Sequence, residues 1–143
     1  MYKAFAPNIY GTQTIYFHDE HIKGNWVYGD LLKIPYNENG DYDCYIIEKV
    51  DFRDTIYDVC NYAHQVLAVT VCEAIPGLKD KFGTQVFKND LVTLHQMLGV
   101  YEVKWSENQC RYDLYRNGYS QAGLNPETIK NYEVIGTIFD KED

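Results

Sequence analysis

The sequence predicts a mainly-β protein, a short-stranded barrel or sandwich with one minor helix. Three observations carry this. Short runs rich in Val, Ile, Tyr and Phe recur at close spacing, at residues 2–5, 14–17, 26–34, 44–50, 100–105 and 132–139. Gly, Asn and Pro punctuate the gaps, with Gly24-Asn25, Asn39-Gly40, Pro76-Gly77 and Asn117-Gly118 as turn signals. Fourteen Tyr supply most of the 15% aromatic content. Tyr suits half-buried strand faces and interfaces, because its ring stays dry while its hydroxyl stays wet.

In chain order, residues 2–5 (YKAF) alternate and form a first strand, closed by Pro7-Asn8 and Gly11. Residues 14–17 form a second, followed by a polar loop at His18-Asp-Glu-His21 and a turn at Gly24-Asn25. Residues 26–34 read as a strand with a bulge or close backbone approach at Gly29, ended by Pro35. Asn39-Gly40 then tolerates the positive φ of a tight hairpin, and residues 44–50 return. From 51 to 67 the spacing of Phe52, Ile56, Val59, Cys60, Ala63 and Leu67 predicts the helix, with Asp51 or Asp54 as N-cap. Residues 69–72 form a strand, which Pro76-Gly77 ends.

Residues 77–94 then pack a charged tip, Lys79-Asp-Lys-Phe82, between two glycines and lead into strands at 85–87 and 91–94 with a break at Lys88-Asn-Asp90. Residues 100–105 and 110–115 alternate and pair with one another across a turn at 106–109. Asn125-Pro126 opens one helical turn with Pro at its first position, and residues 132–139 form the last strand.

The plan of residues 24–34 recurs at 83–94: glycine, Val with an aromatic, a short break ending in Asp, then a branched run. Residues 45–50 are echoed at 133–138. Two related β-units, 1–76 and 77–143, sharing one core are therefore expected, against the alternative that strand–turn–strand segments simply look alike.

With 143 residues the chain can bury a core without disulfide or metal. Net charge is −8, without a Lys/Arg run to neutralise phosphates, so nucleic-acid binding is not expected. Cys44, Cys60, Cys72 and Cys110 lie far apart without a CxxC, and the start lacks a basic segment followed by an apolar run. No apolar run is long enough to span a membrane. A cytoplasmic protein with free thiols is expected.

Few residues suggest chemistry. His18 and His21 with Asp19 and Glu20 form the compact His/carboxylate cluster, but no helical period surrounds it and further ligands are missing, so a solvated loop is expected rather than a metal site. Cys60 and His64 lie one helical turn apart, a spacing that can activate a thiolate, yet no third orienting group accompanies them and a core Cys is commoner. Asp30 and Asp90 recur in the echoed units and read as backbone acceptors at strand breaks, not as paired catalytic carboxylates. Motifs for a Ser nucleophile, a zinc protease, a P-loop or a dinucleotide fold are absent. No catalytic residue, metal or cofactor is expected.

Several motifs in order then resemble one family: Gly77-Leu-Lys-Asp-Lys-Phe-Gly83, Val86-Phe87, Asp90-Leu-Val92, and Asn131-Tyr-Glu-Val-Ile-Gly-Thr-Ile-Phe139, with Trp26-Val-Tyr-Gly-Asp30 upstream. The chain resembles the YopX family of phage and prophage proteins, departing from its pattern at Pro76, Phe82 and Lys88-Asn89. The resemblance implies an all-β fold with mixed sheet, a phage origin and assembly into oligomers, and implies no catalytic residue. The functional expectation is a non-enzymatic homo-oligomer that binds a host or phage protein, with Lys79, Asp80, Lys81 and Phe82 as contact surface. The alternative is a nucleic-acid accessory factor using a Tyr/Trp face and a Lys79, Lys81, Lys88 edge. A small hydrolase built on His18 and His21 is third.

Overall fold

A computed structural model describes residues 1–7, 10–48, 63–95 and 99–140. The chain divides into two compact units, Met1–Glu73 and Ala74–Asp143. Every strand pairing among the described residues is antiparallel, so the mixed sheet implied by the family resemblance is not observed. The fold is mainly β, and no barrel closes among the described residues.

The first unit is built on β3 (Glu20–Pro35), a 16-residue strand. Three partners tile along it. β2 (Gln13–Phe17) pairs from Gln13↔Gly24 to Phe17↔Glu20. β1 (Tyr2–Ala6) pairs from Ala6↔Asn25 to Tyr2↔Gly29. β4 (Tyr42–Ile47) pairs from Asp30↔Ile47 to Pro35↔Tyr42, and β5 (Ala63–Val66) adds to β4. Gly24 and Asn25 therefore lie inside a continuous strand, not at a turn. The glycine is needed for close approach: a Cβ there would lie 2.1 Å from the Ala6 carbonyl oxygen. The same holds at Gly29, where a Cβ would lie 2.0 Å from the oxygen of Ile47. One face of these strands buries Ala4, Ala6, Val27, Cys44, Ile46 and Val66. Each fully buried Val or Ile side chain contributes about 1.5–3 kcal/mol.

The hairpin between β3 and β4 is wider than Asn39-Gly40 alone predicts. Tyr36 N–H donates to Asp41 O at 3.1 Å, and Asn37 Oδ1 accepts from the Asn39 and Asp41 amides at 3.0 and 3.1 Å. The Asn37 carboxamide organises the loop, and Gly40 takes the positive φ. The helix expected over 51–67 is not formed at its described end: residues 63–66 are β5 and Leu67 is extended, while 51–62 lie outside the described residues. Val66 of β5 packs with Cys44 and Ile46, a non-local contact that overrides the local helical spacing. A short 3₁₀ turn, Ala68–Thr70, follows. Its buried Thr70 hydroxyl accepts from the Phe5 amide at 2.9 Å and donates to Leu67 O at 2.7 Å, so both polar groups are satisfied.

β6 (Cys72–Lys79) opposes β1 at its start, with Lys3↔Cys72 and Tyr2↔Glu73. Its later residues belong to the second unit and pair with β7 (Gln85–Phe87) at Ala74↔Phe87 and Lys79↔Gln85, with a bulge between. Pro76-Gly77 thus sits in a bulge and does not end the strand. The Gln85 carboxamide makes this possible: its Nε2 donates to the Ile75, Leu78 and Val86 oxygens at 2.8, 3.1 and 2.9 Å, supplying donors that the interrupted ladder lacks.

The remaining strands of this unit are β8 (Asp90–Thr93), β9 (Tyr101–Ser106), β10 (Arg111–Arg116), β11 (Tyr119–Gly123) and β12 (Glu133–Thr137), ordered β11-β10-β9-β8-β12. Asn117 and Gly118, both at positive φ, close the two-residue β10–β11 hairpin. β11 (YSQAG) was not expected from sequence, because it carries no apolar alternation. Helix α1 (Pro126–Ile129) forms as its signals predict: Asn125 Oδ1 accepts from the Thr128 amide at 2.9 Å, and buried Ile129 anchors the turn. The core here is Ile75, Leu78, Val86, Val92, Val103, Leu114 and Ile129.

The echoed segments also pair in both units: Leu31↔Ile46 in the first, Val92↔Val134 in the second, the latter with a bulge before Gly136. Their local structure differs. Residues 24–34 are one strand, whereas 83–94 break into β7 and β8 at Lys88-Asn89.

Candidate functional site

The loop between β6 and β7 is held from within by Asp80. This residue is only 5% exposed. Its Oδ1 accepts from the Phe82 and Thr84 amides, each at 2.9 Å, and its Oδ2 accepts from the Val134 amide on β12 at 3.0 Å. Burial pushes the Asp80 carboxyl up, but the amides of Val134, Thr84 and Phe82 outweigh it together, and its pKa lies below the usual carboxylate value. Backbone bonds complete the loop: Asp80 N–H to Thr84 O at 2.9 Å, Gly83 N–H to Asp80 O at 3.0 Å, and Lys81 N–H to Tyr132 O at 2.9 Å. Gly77 and Gly83 both take positive φ, and a Cβ at either would meet open space, so their φ rather than crowding calls for glycine.

Of the four residues expected to form a contact surface, Asp80 lies inside and acts on the backbone. Lys79, Lys81 and Phe82 are exposed, Phe82 by 70%. Lys81 Nζ lies 3.9 Å from Glu133 Oε2 and 5.1 Å from the Phe82 ring centroid. The loop therefore presents an aromatic ring beside a lysine, on a backbone clamped by a buried carboxylate. Of the lysine edge in the nucleic-acid reading, Lys79 and Lys81 are exposed and Lys88 is half-buried; of the aromatics, Trp105 and Tyr119 are exposed while Trp26 and Tyr101 are partly buried.

The other candidates fall elsewhere. His18 and Asp19 both take positive φ and make the β2–β3 hairpin turn, where Phe17 faces Glu20. His21 stacks edge-on against Tyr16 at 4.2 Å, and His18 lies 4.0 Å from the Phe17 ring. The two histidines are therefore exposed at a tight hairpin turn, solvated as expected, with His21 already on β3. His64 lies on β5, 3.3 Å from Glu48, while Cys60 lies outside the described residues. Cys44 and Cys110 are free thiols, Cys72 Sγ donates to Thr70 O at 3.2 Å, and burial raises the pKa of Cys44. Among the described residues, no group of three or more His, Cys, Asp or Glu could hold a metal ion. Asp90 is fully buried, and its Oδ2 accepts from the Phe87 amide at 2.8 Å beside Asn89 at positive φ, the backbone role expected of it. Asp30 instead is exposed within β3.

Sequence reasoning missed a third buried carboxylate. Asp113 on β10 accepts from Arg111 Nε at 2.7 Å and Ser120 Oγ at 2.7 Å, and tightens the β10–β11 pair. It also missed an exposed apolar face on β3 and β4, whose signal was present as apolar residues at adjacent positions in Leu31-Leu32 and Ile46-Ile47.

A family model described as YopX protein matches residues 19–142, nearly the whole chain. The chain belongs to the YopX family. In this YopX member the GLKD segment, residues 77–80, ends β6 and leads into the loop clamped by Asp80. A comparison with curated proteins returns no match. No described helix of this YopX chain is long and apolar enough to cross a membrane.

Proposed function

We propose that this YopX-family chain is a non-enzymatic, phage-encoded protein of the host cytoplasm that assembles into oligomers and acts by binding a host or phage protein. Lys79, Lys81 and Phe82 form its contact surface. The observation that carries the reading is Phe82, 70% exposed on a loop that Asp80 holds by two hydrogen bonds to its amides and ties to β12 by a third. A loop already rigid before binding loses little conformational entropy on docking. An exposed Phe is of the aromatic class in which protein interfaces are enriched. The net charge of −8 and the partial neutralisation of Lys81 by Glu133 favour a protein partner over nucleic acid.

The test replaces Phe82 by a photo-crosslinking phenylalanine analogue in infected cells, alongside light scattering of the purified protein. Adducts at this position to a second copy or to a defined protein support the reading. A strict monomer without any adduct overturns it. A salt-dependent gel shift with single-stranded DNA or RNA would favour the nucleic-acid alternative instead.

A further inference from the structure

We propose that the outer face of the β3–β4 arm is a second docking surface, in the first unit, for a basic, aliphatic segment of another protein. The face follows from strand register. Leu32 stands opposite Tyr45, Ile34 opposite Asp43 and Asp30 opposite Ile47. Alternation places Tyr28, Asp30, Leu32, Ile34, Tyr45 and Ile47 on one side of the arm. The other side carries Cys44 and Ile46 into the core. An arm with one solvated face ordinarily reads polar on that face, by strict alternation. Here Leu32 is 41% and Ile34 46% exposed, and they lie beside exposed Tyr28. Neighbouring apolar side chains left in water on a regular strand mark an interaction surface more than scattered ones do.

Charge selects the occupant. Residues 28–47 carry Asp30, Glu38, Asp41 and Asp43 against a single cation, Lys33. Lys33 stands opposite Cys44, so it belongs to the other face, where its Nζ lies 4.8 Å from the Tyr42 ring centroid. Asp30 and Asp43 thus flank the apolar side chains without an ion pair among the described residues. A second copy would set these carboxylates against their own kind on a chain of net charge −8. Phosphate-bearing ligands are repelled for the same reason. A segment with lysines or arginines interleaved with aliphatic residues complements both the charge and the apolar surface.

The probe is a dye-labelled peptide alternating lysine with leucine, titrated into the full chain by fluorescence anisotropy, with a glutamate–leucine peptide as counterpart. The lysine peptide binds, more weakly as salt rises, and the glutamate peptide does not. The double variant Leu32→Glu with Ile34→Glu weakens binding about tenfold or more, as expected for loss of central apolar contacts. That variant is the more acidic protein, so unspecific attraction would instead grow. Should circular dichroism show it unfolded, Asp30→Asn with Asp43→Asn, which keeps size and shape, weakens binding several-fold and flattens the salt dependence. The proposal is overturned if the lysine peptide fails to bind, if the folded variants bind as tightly as the parent, or if an oligomer of the parent seen by light scattering falls apart in the folded Leu32→Glu, Ile34→Glu variant.

Discussion

Asp80 Oδ2 accepts the Val134 amide at 3.0 Å, joining residues 54 positions apart. The same carboxylate holds Phe82 and Thr84, so one side chain links the exposed loop to β12. Asp80→Ala leaves buried amides without an acceptor, at about 1–3 kcal/mol for each that water cannot reach. We expect a loss of at least about 2 kcal/mol in urea unfolding, a large effect for a single substitution. A loss below half a kcal/mol would show that water replaces the carboxylate freely.

The Asp80 bonds also give a pH signature. Its folded pKa is depressed, so its stabilisation is complete above the unfolded value of about 4 and fades as pH falls through the folded value. The stability gap between the parent and Asp80→Asn should therefore be widest near neutral pH and shrink under acid. A gap that stays constant as pH falls below about 4 would mean that the charge is unimportant.

Exchanging the charges of the loop is a contrasting case. Lys79 and Lys81 are exposed, and the Lys81–Glu133 pair at 3.9 Å lies in solvent. The double change to Glu should alter stability by under about half a kcal/mol in denaturant melts, while altering crosslinking at Phe82. Unfolding of the double variant would place these lysines inside the fold.

Gly24 tests the tiling of β1 along β3. A methyl group there would lie 2.1 Å from the Ala6 oxygen, backbone that cannot swing aside. Gly24→Ala should cost about 1–3 kcal/mol as overpacking, read from the thermal midpoint. Gly77→Ala meets no atoms and should cost less, through its positive φ alone.

Much of this fold was legible from local pattern. Turn chemistry located Asn117-Gly118, and the cap at Asn125-Pro126 located α1, because each depends on a few neighbouring residues. Distant contacts were not legible. Residues 63–66 follow helical spacing but are drawn into a strand by Cys44 and Ile46. Pro76-Gly77 looks like a stop, yet Gln85 carries the chain through as a bulge. In the loop itself, charge made Asp80 look as exposed as its two lysine neighbours. Its burial depends on Val134, which no local reading would have paired with it. The exposed Phe82 was legible as a candidate because glycines and charges gather around it.

The tiling of β2, β1 and β4 along β3 has a consequence for how this chain tolerates change. Partners in separate strands can each adjust their own register, but here all three are measured against one 16-residue ruler. A single residue inserted near Gly29 would turn the distal segment over. Leu32 and Ile34 would be directed inward, and the positions facing Cys44 and Ile46 would turn out to water. Loops 36–41 and 117–118 can lengthen at little cost. The length of β3 cannot drift, so related chains that keep this unit should vary in its loops and hold this strand free of insertions and deletions.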